Sequence, residues 1–264
     1  MKQLKTLKNL LQKTFLNCLK LQLMSKIYSP FYNFFNILHK KIISKKNYYS
    51  FGGIDIIVDY IFRDKKNGRY IDVGCQHPIL NNNTYLLHKR GWRGINIDLD
   101  NDNIKLFNYA RNNDFNLNAA ISLNDGESDL FFYHNKSPIN TLNKKVSQHR
   151  NAKVKEIKRI KTTTLNSAIE KSFFKNDKFD FLSIDVEGLE LEVLKGFDLK
   201  KYSPSVIVIE YLDLSTKMLE IKNLNIDNVL NSELYRFMIN NNYSFVNWLH
   251  ADLVFVNNTF KDKI

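Results

Sequence analysis

Four acidic residues stand at the ends of short apolar runs that have the length and composition of buried strands. They are Asp72, Asp98, Asp185 and Glu210. Because the carboxyl ends of parallel strands meet at one edge of a sheet, we expect the four carboxylates to lie at that edge. Carboxylates can accept hydrogen bonds from hydroxyl groups, take up a proton or hold a divalent cation. One acid at a strand end is often only a helix N-cap, but four at one edge indicate a ligand site.

The first two acids favour a nucleoside ligand that lacks a pyrophosphate. Asp72 is followed by Gly74 in the sequence DVGCQH, which lacks the G-x-G-x-x-G spacing of a dinucleotide cradle. Asp98 comes 26 residues after Asp72, at the end of the next predicted strand. An acid at that position can accept hydrogen bonds from ribose hydroxyls. S-adenosylmethionine is a nucleoside of this kind.

The elements that must position these acids alternate in a way that predicts a mostly parallel α/β sheet from Tyr49 onward. Strands are predicted over residues 70–74, 95–98, near 115–121, and over 179–184 and 206–209. The region 130–164 looks less regular, with a strand over 130–134, a lysine-rich loop, and Ile160–Leu165 before a short helix. Helices are predicted near 54–62, 85–87, 104–109 and 189–194. Two further strands, over 243–248 and 252–256, are separated by a short turn and predict a terminal antiparallel pair.

The formal net charge of +12 is concentrated near the N-terminus. Residues 1–50 carry ten lysines and no Asp or Glu, which leaves +2 for the other 214 residues. Only eight of the 39 basic residues are Arg, the side chain that phosphate and base-edge recognition favours. The composition therefore argues against a nucleic-acid partner. Cys18 and Cys75 belong to no zinc or disulfide pattern, which favours a reducing, cytoplasmic compartment.

Residues 1–48 are predicted to form a basic amphipathic helical extension. Leu4, Leu7, Leu11 and Phe15 share one helix face, and most of the lysines lie beside or opposite it. One interpretation is peripheral contact of residues 1–46 with an anionic membrane surface. The other is packing on the chain's own domain or on a second subunit. Lysines interrupt every apolar run, so neither a signal peptide nor a transmembrane helix is predicted.

From Tyr49 to Val256 the sequence resembles the FkbM family of S-adenosylmethionine-dependent methyltransferases. The resemblance is carried by YIDVGCQHP (70–78), NNTYLLHKRGWRGINID (82–98), LNAAIS (117–122), INTL (139–142), FDFLSIDVEGLELEVLKGF (179–197) and VIVIE (206–210). It implies a Rossmann-like class I methyltransferase domain over residues 49–264, with a mostly parallel seven-stranded sheet and helices on both faces. It also implies S-adenosylmethionine as cofactor and methyl transfer to a hydroxyl of a sugar, a glycan or a glycosylated small molecule.

The resemblance also assigns residues to the cofactor, the acceptor and the reaction. Cofactor contacts are expected at Asp72, Gly74, Cys75, Asp98, Asn118 and Ala119. Acceptor contacts are expected at Asn83, Thr84 and Glu210, and catalysis at Asp185, Glu187 and His77. The dipeptide His77-Pro78 stands where many members of the family have a second glycine, which indicates a subgroup whose first loop contains a proline.

The expected reaction requires alignment of the acceptor oxygen with the methyl group and removal of the hydroxyl proton. Asp185 is the predicted general base, and Glu187 and His77 are the second candidates. Asp185 and Glu187 could instead hold a divalent cation that acidifies the hydroxyl, although we expect no metal. The rival interpretation is a catalytically degenerate binding protein of methyltransferase fold, tethered to a membrane surface by its basic extension.

Overall fold

The computed structural model describes residues 48–135, 137–150, 152–214 and 225–262, together with Phe35. The strands and helices given below belong to the unit Tyr48–Ile264. The predicted amphipathic extension and its membrane contact lie outside the described residues, except for Phe35 and Tyr48. Within the described part of the chain, no helix has the length and apolar character needed to cross a membrane.

A seven-stranded sheet forms the centre of the domain. The strands are β1 (Arg69–Val73), β2 (Arg93–Asp98), β3 (Phe115–Asn118), β4 (Ala120–Ile121), β5 (Gly126–Phe132), β6 (Glu156–Thr163), β7 (Phe181–Ile184), β8 (Val206–Glu210), β9 (Tyr243–Leu249) and β10 (Asp252–Asn257). The order in the central sheet is β3-β2-β1-β7-β8-β10-β9. The first five of these strands pair in parallel, whereas β10 pairs antiparallel with both β8 and β9. The predicted fold class and the terminal antiparallel pair are therefore confirmed.

Helices connect the strands, and most of them follow a polar residue. They are α1 (Ile54–Ile61), α2 (Tyr85–Lys89), α3 (Asn101–Ala110), α4 (Lys144–His149), α5 (Leu165–Glu170), α6 (Glu190–Lys195), α7 (Leu199–Tyr202), α8 (Ile226–Leu230), α9 (Glu233–Asn240) and α10 (Asn258–Lys261). The side chains of Asp100, Asn143, Thr164 and Ser232 accept hydrogen bonds from backbone N–H groups in the first turns of α3, α4, α5 and α9. Such caps satisfy donors that a helix leaves unpaired at its start.

The predicted third strand over residues 115–121 is divided in the structure. Residues 115–118 pair with β2 in the central sheet, whereas Ala120 and Ile121 pair with β6 in a small sheet of order β4-β6-β5. The chain changes partner at Ala119, whose N–H donates to the carbonyl oxygen of Asp98 at 3.0 Å. Two consecutive short strands cannot be distinguished from one longer strand by apolar pattern alone.

Alternate residues of the central strands pack on opposite faces of the sheet. In β1, Ile71 and Val73 belong to the larger apolar core, and Tyr70 belongs to a second core that includes Ile54 and Val58 of α1. Both faces are therefore covered, as expected for a parallel sheet. This arrangement leaves the carboxyl ends of the strands as the place where a pocket can form.

Candidate active site

A pocket lies at the carboxyl ends of β1, β2 and β7, where the chain passes from each strand into the following loop. The pocket has a volume of about 740 Å³, including the part that is open to solvent. Its lining comprises Val73, Gly74, Gln76, Ile97, Asp98, Leu99, Asp100, Asn103, Ala119, Ala120, Ile121, Ser137, Pro138, Asn140, Leu142, Asp185, Val186, Glu187 and Leu189. Five residues of the predicted site are among them: Gly74, Asp98, Ala119, Asp185 and Glu187.

Asp98, the last residue of β2, links the loops that follow β1 and β2. One carboxylate oxygen accepts from the backbone N–H of Gln76 at 2.9 Å, and the other accepts from that of Asp100 at 2.7 Å. Asn103 donates to the same carboxylate at 3.3 Å. Burial raises the pKa of Asp98 to about 6, against the opposing effect of these hydrogen bonds. The carboxylate is thus fixed in place in the pocket wall, and a ligand there meets an acceptor group.

Gly74 is required by the approach of the neighbouring chain. Its φ is +82°, and a Cβ at this position would lie 1.7 Å from the carbonyl oxygen of Asp185. Any side chain would therefore force the end of β1 away from the end of β7. The sequence predicts a cofactor contact at Gly74; the backbone contact with Asp185 by itself already requires glycine at this position.

The acid cluster, which we define as Asp185, Glu187 and Glu210, lies at the ends of β7 and β8. One carboxylate oxygen from each residue lies within 4.8 Å of those of the other two. Burial, followed by the charges of Glu187 and Asp252, raises the pKa of Asp185 well above its usual value. Burial and the charge of Asp185 do the same to the pKa of Glu210. The Oε2 atom of Glu210 is buried and has no hydrogen-bond partner among the described residues.

Sequence reasoning missed two residues that act on this cluster. Asp252 begins β10 directly opposite Glu210, and burial raises the pKa of Asp252 to about 7. Arg150 forms an ion pair with Glu187. Burial raises the pKa of Glu187, and Arg150 opposes this change. The pairing of the last strand with β8 could have identified Asp252, but no local signal indicates Arg150.

The turn that carries Glu187 is held from the segment before α4. Glu187 has a φ of 60°, in the left-handed region that non-glycine residues rarely adopt. Thr141 donates to the carbonyl oxygen of Glu187 at 2.7 Å, and Asn143 donates to that of Gly188 at 2.5 Å. Strained residues of this kind persist only where their surroundings hold them. The contacts therefore fix the carboxylate of Glu187 at the pocket.

The acid cluster can perform two kinds of chemistry. Its carboxyls can hold a proton, because carboxylate oxygens of Asp185 and Glu210 lie within 4.8 Å of each other, and neighbouring buried acids cannot all ionise. The three oxygens also have a spacing and chemistry that suit a divalent cation. Both functions would satisfy the buried Oε2 atom of Glu210.

Seven residues of the predicted site do not line the pocket. Asp72 is turned into the protein, where it accepts from Asn82 at 3.0 Å and from Thr84 at 2.7 Å. Asn83 donates to Ser183 at 3.0 Å. The others outside the pocket lining are Thr84, Cys75, His77, Asn118 and Glu210.

These residues have visible roles in the structure. Cys75 is packed against Ile104 and Phe107, and burial raises the pKa of its thiol well above the usual value. His77 Nδ1 accepts from the backbone N–H groups of Ile79 and Leu80, so it shapes the loop after β1. Asn118 donates to the carbonyl oxygens of Asp98 and Leu99. Glu210 acts at the pocket through the acid cluster.

Arg111 organises the loop after β1 and was also missed. This residue follows α3 and is only 1% exposed. Its guanidinium donates to the carbonyl oxygen of Pro78 at 2.5 Å, to Asn82 at 2.7 Å and to Thr84 at 2.8 Å. Burial raises the pKa of Asp72, while the hydrogen bond from Thr84 and the charge of Arg111 oppose the change. Arg111 is one of only eight arginines in the chain, and this scarcity was the one feature of the sequence that could have drawn attention to it.

The side chains that line the pocket fit S-adenosylmethionine. Four carboxylates line it, and no Lys, Arg or His does so among the described residues. Carboxylates suit ribose hydroxyls and positively charged groups, whereas a pyrophosphate would be repelled. Apolar side chains of Ile97, Leu99 and Ala119 offer a surface for a purine ring. The fold and this site together define the class of Rossmann-like methyltransferases.

Comparison with known families places the chain within that class. Residues 72–245 match the family model described as the methyltransferase FkbM domain. The chain therefore belongs to the FkbM methyltransferase family, and the resemblance predicted from the sequence is confirmed.

A solved structure and the curated proteins add little to this assignment. The crystal structure of methyltransferase FkbM from Methylobacillus flagellatus KT is 12% identical, with a TM-score of 0.41. The alignment covers 72% of this chain and 44% of that one, so the chain spans less than half of its length. At this TM-score the similarity does not support a shared function. No curated protein matches the chain.

Proposed function

We propose that the protein transfers a methyl group from S-adenosylmethionine to a hydroxyl of a sugar, a glycan or a glycosylated small molecule. The observation that carries the proposal is the acid cluster, which meets the same pocket as Asp98. Membership of the FkbM family supports methyl transfer. The acid cluster supports a hydroxyl acceptor, because a hydroxyl must lose a proton as its oxygen is methylated.

The residues around Asp98 would hold the cofactor. Asp98 would accept from the ribose hydroxyls, and Leu99 and Ala119 would cover the adenine ring. When bound, S-adenosylmethionine supplies an electrophilic methyl group on a positively charged sulfur. The carboxylates of the pocket favour that positive charge.

Asp185 would accept the proton of the acceptor hydroxyl. Burial and neighbouring acids raise the pKa of Asp185, so its ionised carboxylate is a stronger base than that of an exposed aspartate. The positive charge of the bound cofactor would favour that ionised form. Glu210 would receive or share that proton, because its carboxylate lies within 4.8 Å of that of Asp185. The ion pair with Arg150 would keep Glu187 ionised beside them. No metal is required in this scheme.

The proposal includes a cytoplasmic location, with contact between residues 1–46 and a membrane surface and with no nucleic-acid partner. The described cysteine, Cys75, is free and buried, which is consistent with a reducing compartment.

The test uses the purified full chain and isotopically labelled S-adenosylmethionine. We expect saturable cofactor binding by calorimetry, and transfer of label to glycans or lipid-linked extracts as an ether that survives mild alkali. Label released by alkali, or found on nitrogen, would contradict the hydroxyl acceptor. No heat of cofactor binding at high protein concentration would instead favour the rival, a catalytically degenerate binding protein of methyltransferase fold.

A further inference from the structure

The segment that closes one side of the pocket is basic, although the rest of the domain is not. Residues 133–164 contain nine Lys and Arg and one Glu. The other residues between 51 and 264 contain 20 Lys and Arg and 26 Asp and Glu. A general excess of lysine in the chain does not explain this difference, because it would not remove acids from one segment. The positive charge therefore belongs to a defined part of the domain.

This basic segment is attached directly to the pocket. Four of its residues, Ser137, Pro138, Asn140 and Leu142, belong to the pocket lining. The following helix α4 is held near both ends to the turn that carries Glu187, through Asn143 on one side and Arg150 on the other. Six helical residues span about 9 Å. The charges on α4 therefore lie within about one short helix length of the acid cluster.

Some basic residues of the segment already have acidic partners. Arg150 pairs with Glu187, and Arg159 pairs with Glu127 and Asp129. Lys158 lies 3.5 Å from Glu156. Lys161 stands opposite Glu127 in the strand register. These residues carry little net charge to offer a ligand.

Four lysines among the described residues of the segment, which we call the rim lysines, remain; the ninth basic residue, Lys136, lies outside the described residues. The rim lysines are Lys144, Lys145, Lys153 and Lys155. All four are exposed, and within residues 48–135, 137–150, 152–214 and 225–262 none of them forms an ion pair. Lys144 and Lys145 begin α4. The backbone N–H of Lys155 donates to the carbonyl oxygen of Phe132 at 2.9 Å, and the neighbouring Phe131 pairs with Thr141 before α4. Exposed charges of one sign on one segment gain from a shared anion.

We propose that the rim lysines bind a phosphate group of the acceptor while its hydroxyl enters the pocket. This inference rests on the proposed function and narrows the acceptor to a sugar phosphate or sugar diphosphate in free solution. Lysine binds phosphate as a point charge, and several lysines around an opening raise the local concentration of an anionic substrate. The pocket lining, which has four carboxylates, keeps the phosphate outside and leaves the inner site to the cofactor and the hydroxyl.

The experiment uses the full chain and inorganic pyrophosphate as the probe, with binding measured by calorimetry at low and high salt. The rim variant combines Lys144→Gln, Lys145→Gln, Lys153→Gln and Lys155→Gln. The control variant combines Lys66→Gln, Lys171→Gln, Lys175→Gln and Lys178→Gln, which are exposed lysines outside the segment with the same total charge. We expect about tenfold weaker pyrophosphate binding in the rim variant, since each exposed ion pair contributes little to the binding free energy and the four contributions add up. The control should match the wild type within about twofold.

Hydrogen exchange locates the bound probe, which separates the rim from the lysines of the N-terminal extension. Pyrophosphate should slow exchange in peptides that cover α4 in the wild type and not in the rim variant. Equal pyrophosphate affinity of the two variants, or no binding by the wild type, would overturn the proposal. So would binding to phosphatidylglycerol vesicles that the rim substitutions weaken more than pyrophosphate binding, because the segment would then be a membrane surface.

Cofactor binding by the same proteins separates this inference from the proposed function. The rim lysines do not line the pocket, so S-adenosylmethionine should bind both variants as it binds the wild type. A wild type that binds pyrophosphate at the rim but not S-adenosylmethionine would contradict the proposed function alone.

Discussion

The domain contains two groups of buried acids whose negative charges are stabilised by neighbouring hydrogen-bond donors to very different extents. Around Arg111, the carboxylate of Asp114 accepts from Tyr70, Asn96 and the backbone N–H of Gly94. Burial alone would raise the pKa of Asp114, but hydrogen bonds from His88, Tyr70 and Asn96 outweigh it and lower the pKa. In the acid cluster, burial and like charges raise the pKa of Asp185 well above its usual value.

This difference separates groups that maintain the fold from groups that are available for chemistry. A buried carboxylate with several donors is stabilised as an anion and stays ionised. A buried carboxylate beside other acids favours its protonated form, and it gains from any ligand that brings a proton donor or a positive charge. The Arg111 network supports the loop after β1, and the acid cluster is the reactive side of the pocket.

Replacement of the central acid tests the reactive group and should have the largest effect. We expect Asp185→Asn to lower the methyl-transfer rate by about 100-fold or more, the typical contribution of a general base. Affinity for S-adenosylmethionine, measured by calorimetry, should change by less than about threefold. Asp64→Asn, at a side chain that is 91% exposed, is the matched control. Wild-type turnover by Asp185→Asn would exclude this residue as the base.

Replacement of the central arginine tests the supporting group. Arg111→Met should reduce the free energy of unfolding by about 3–5 kcal/mol, because it leaves buried acceptors and Asp72 without their cation. Arg111→Lys should recover part of this loss. Urea unfolding gives the value, and Arg63→Met at a half-exposed site should change stability by less than about 0.5 kcal/mol. Equal stability of Arg111→Met and the wild type would show that the network contributes nothing.

Asp98 lies in the pocket between these two groups, and its replacement should affect binding. Asp98→Asn should weaken S-adenosylmethionine binding by about tenfold to 100-fold, the range for lost hydrogen bonds to a charged acceptor. Asp129→Asn, an exposed acid on β5, is the matched control. Calorimetry measures both. Unchanged affinity in Asp98→Asn would show that this carboxylate does not hold the ribose.

The smallest expected effect is the pH dependence of stability. It contrasts Asp252, which lies opposite Glu210 of the acid cluster, with Asp114 of the Arg111 network. The pKa of Asp252 is about 7 in the folded protein because of burial, and the ordinary value for aspartate is about 3.9. Between about pH 4 and pH 7 the unfolded chain therefore loses a proton that the folded chain keeps, and stability falls as pH rises. Full burial would give about 4 kcal/mol; with partial solvent screening we expect Asp252→Asn to stabilise by about 1 kcal/mol at about pH 8.

The sign should reverse in the compensated group. Because the pKa of Asp114 is lowered in the folded protein, its charge adds stability above the unfolded-state pKa and loses it as pH falls through the lower folded value. Asp114→Asn should therefore destabilise at neutral pH, and Asp252→Asn should have no effect near pH 4. Denaturant unfolding across pH measures both, and a shared sign for the two variants would remove the distinction between the regions.

Much of the fold follows from local pattern. The strands that contain Asp72 and Asp98, and the strand that precedes Asp185, were predictable because each is a mostly apolar run, as parallel strands covered on both faces must be. The division at Ala119 was not predictable, because it depends on pairing with β6 about 40 residues further on. The candidate site was predicted in part: Asp98, Asp185 and Glu187 line the pocket, whereas Asp72 does not.

Asp72 shows why position in a strand is not enough. It lies one residue before the end of β1. Its side chain lies on the same face of the sheet as that of Tyr70, and Ile71 and Val73 lie on the opposite face. Side chains alternate along a strand, so its carboxylate enters the network with Asn82 and Thr84 and not the pocket.

The sequence by itself determined the order and type of the elements and the presence of acids at the strand ends, because these depend on residues close together in the chain. Only the tertiary structure decided which acids are compensated. Arg111 with Pro78, Arg150 with Glu187, and Asp252 with Glu210 are contacts between residues far apart in the sequence. Their effects depend on burial and distance, and these quantities exist only once the chain has folded.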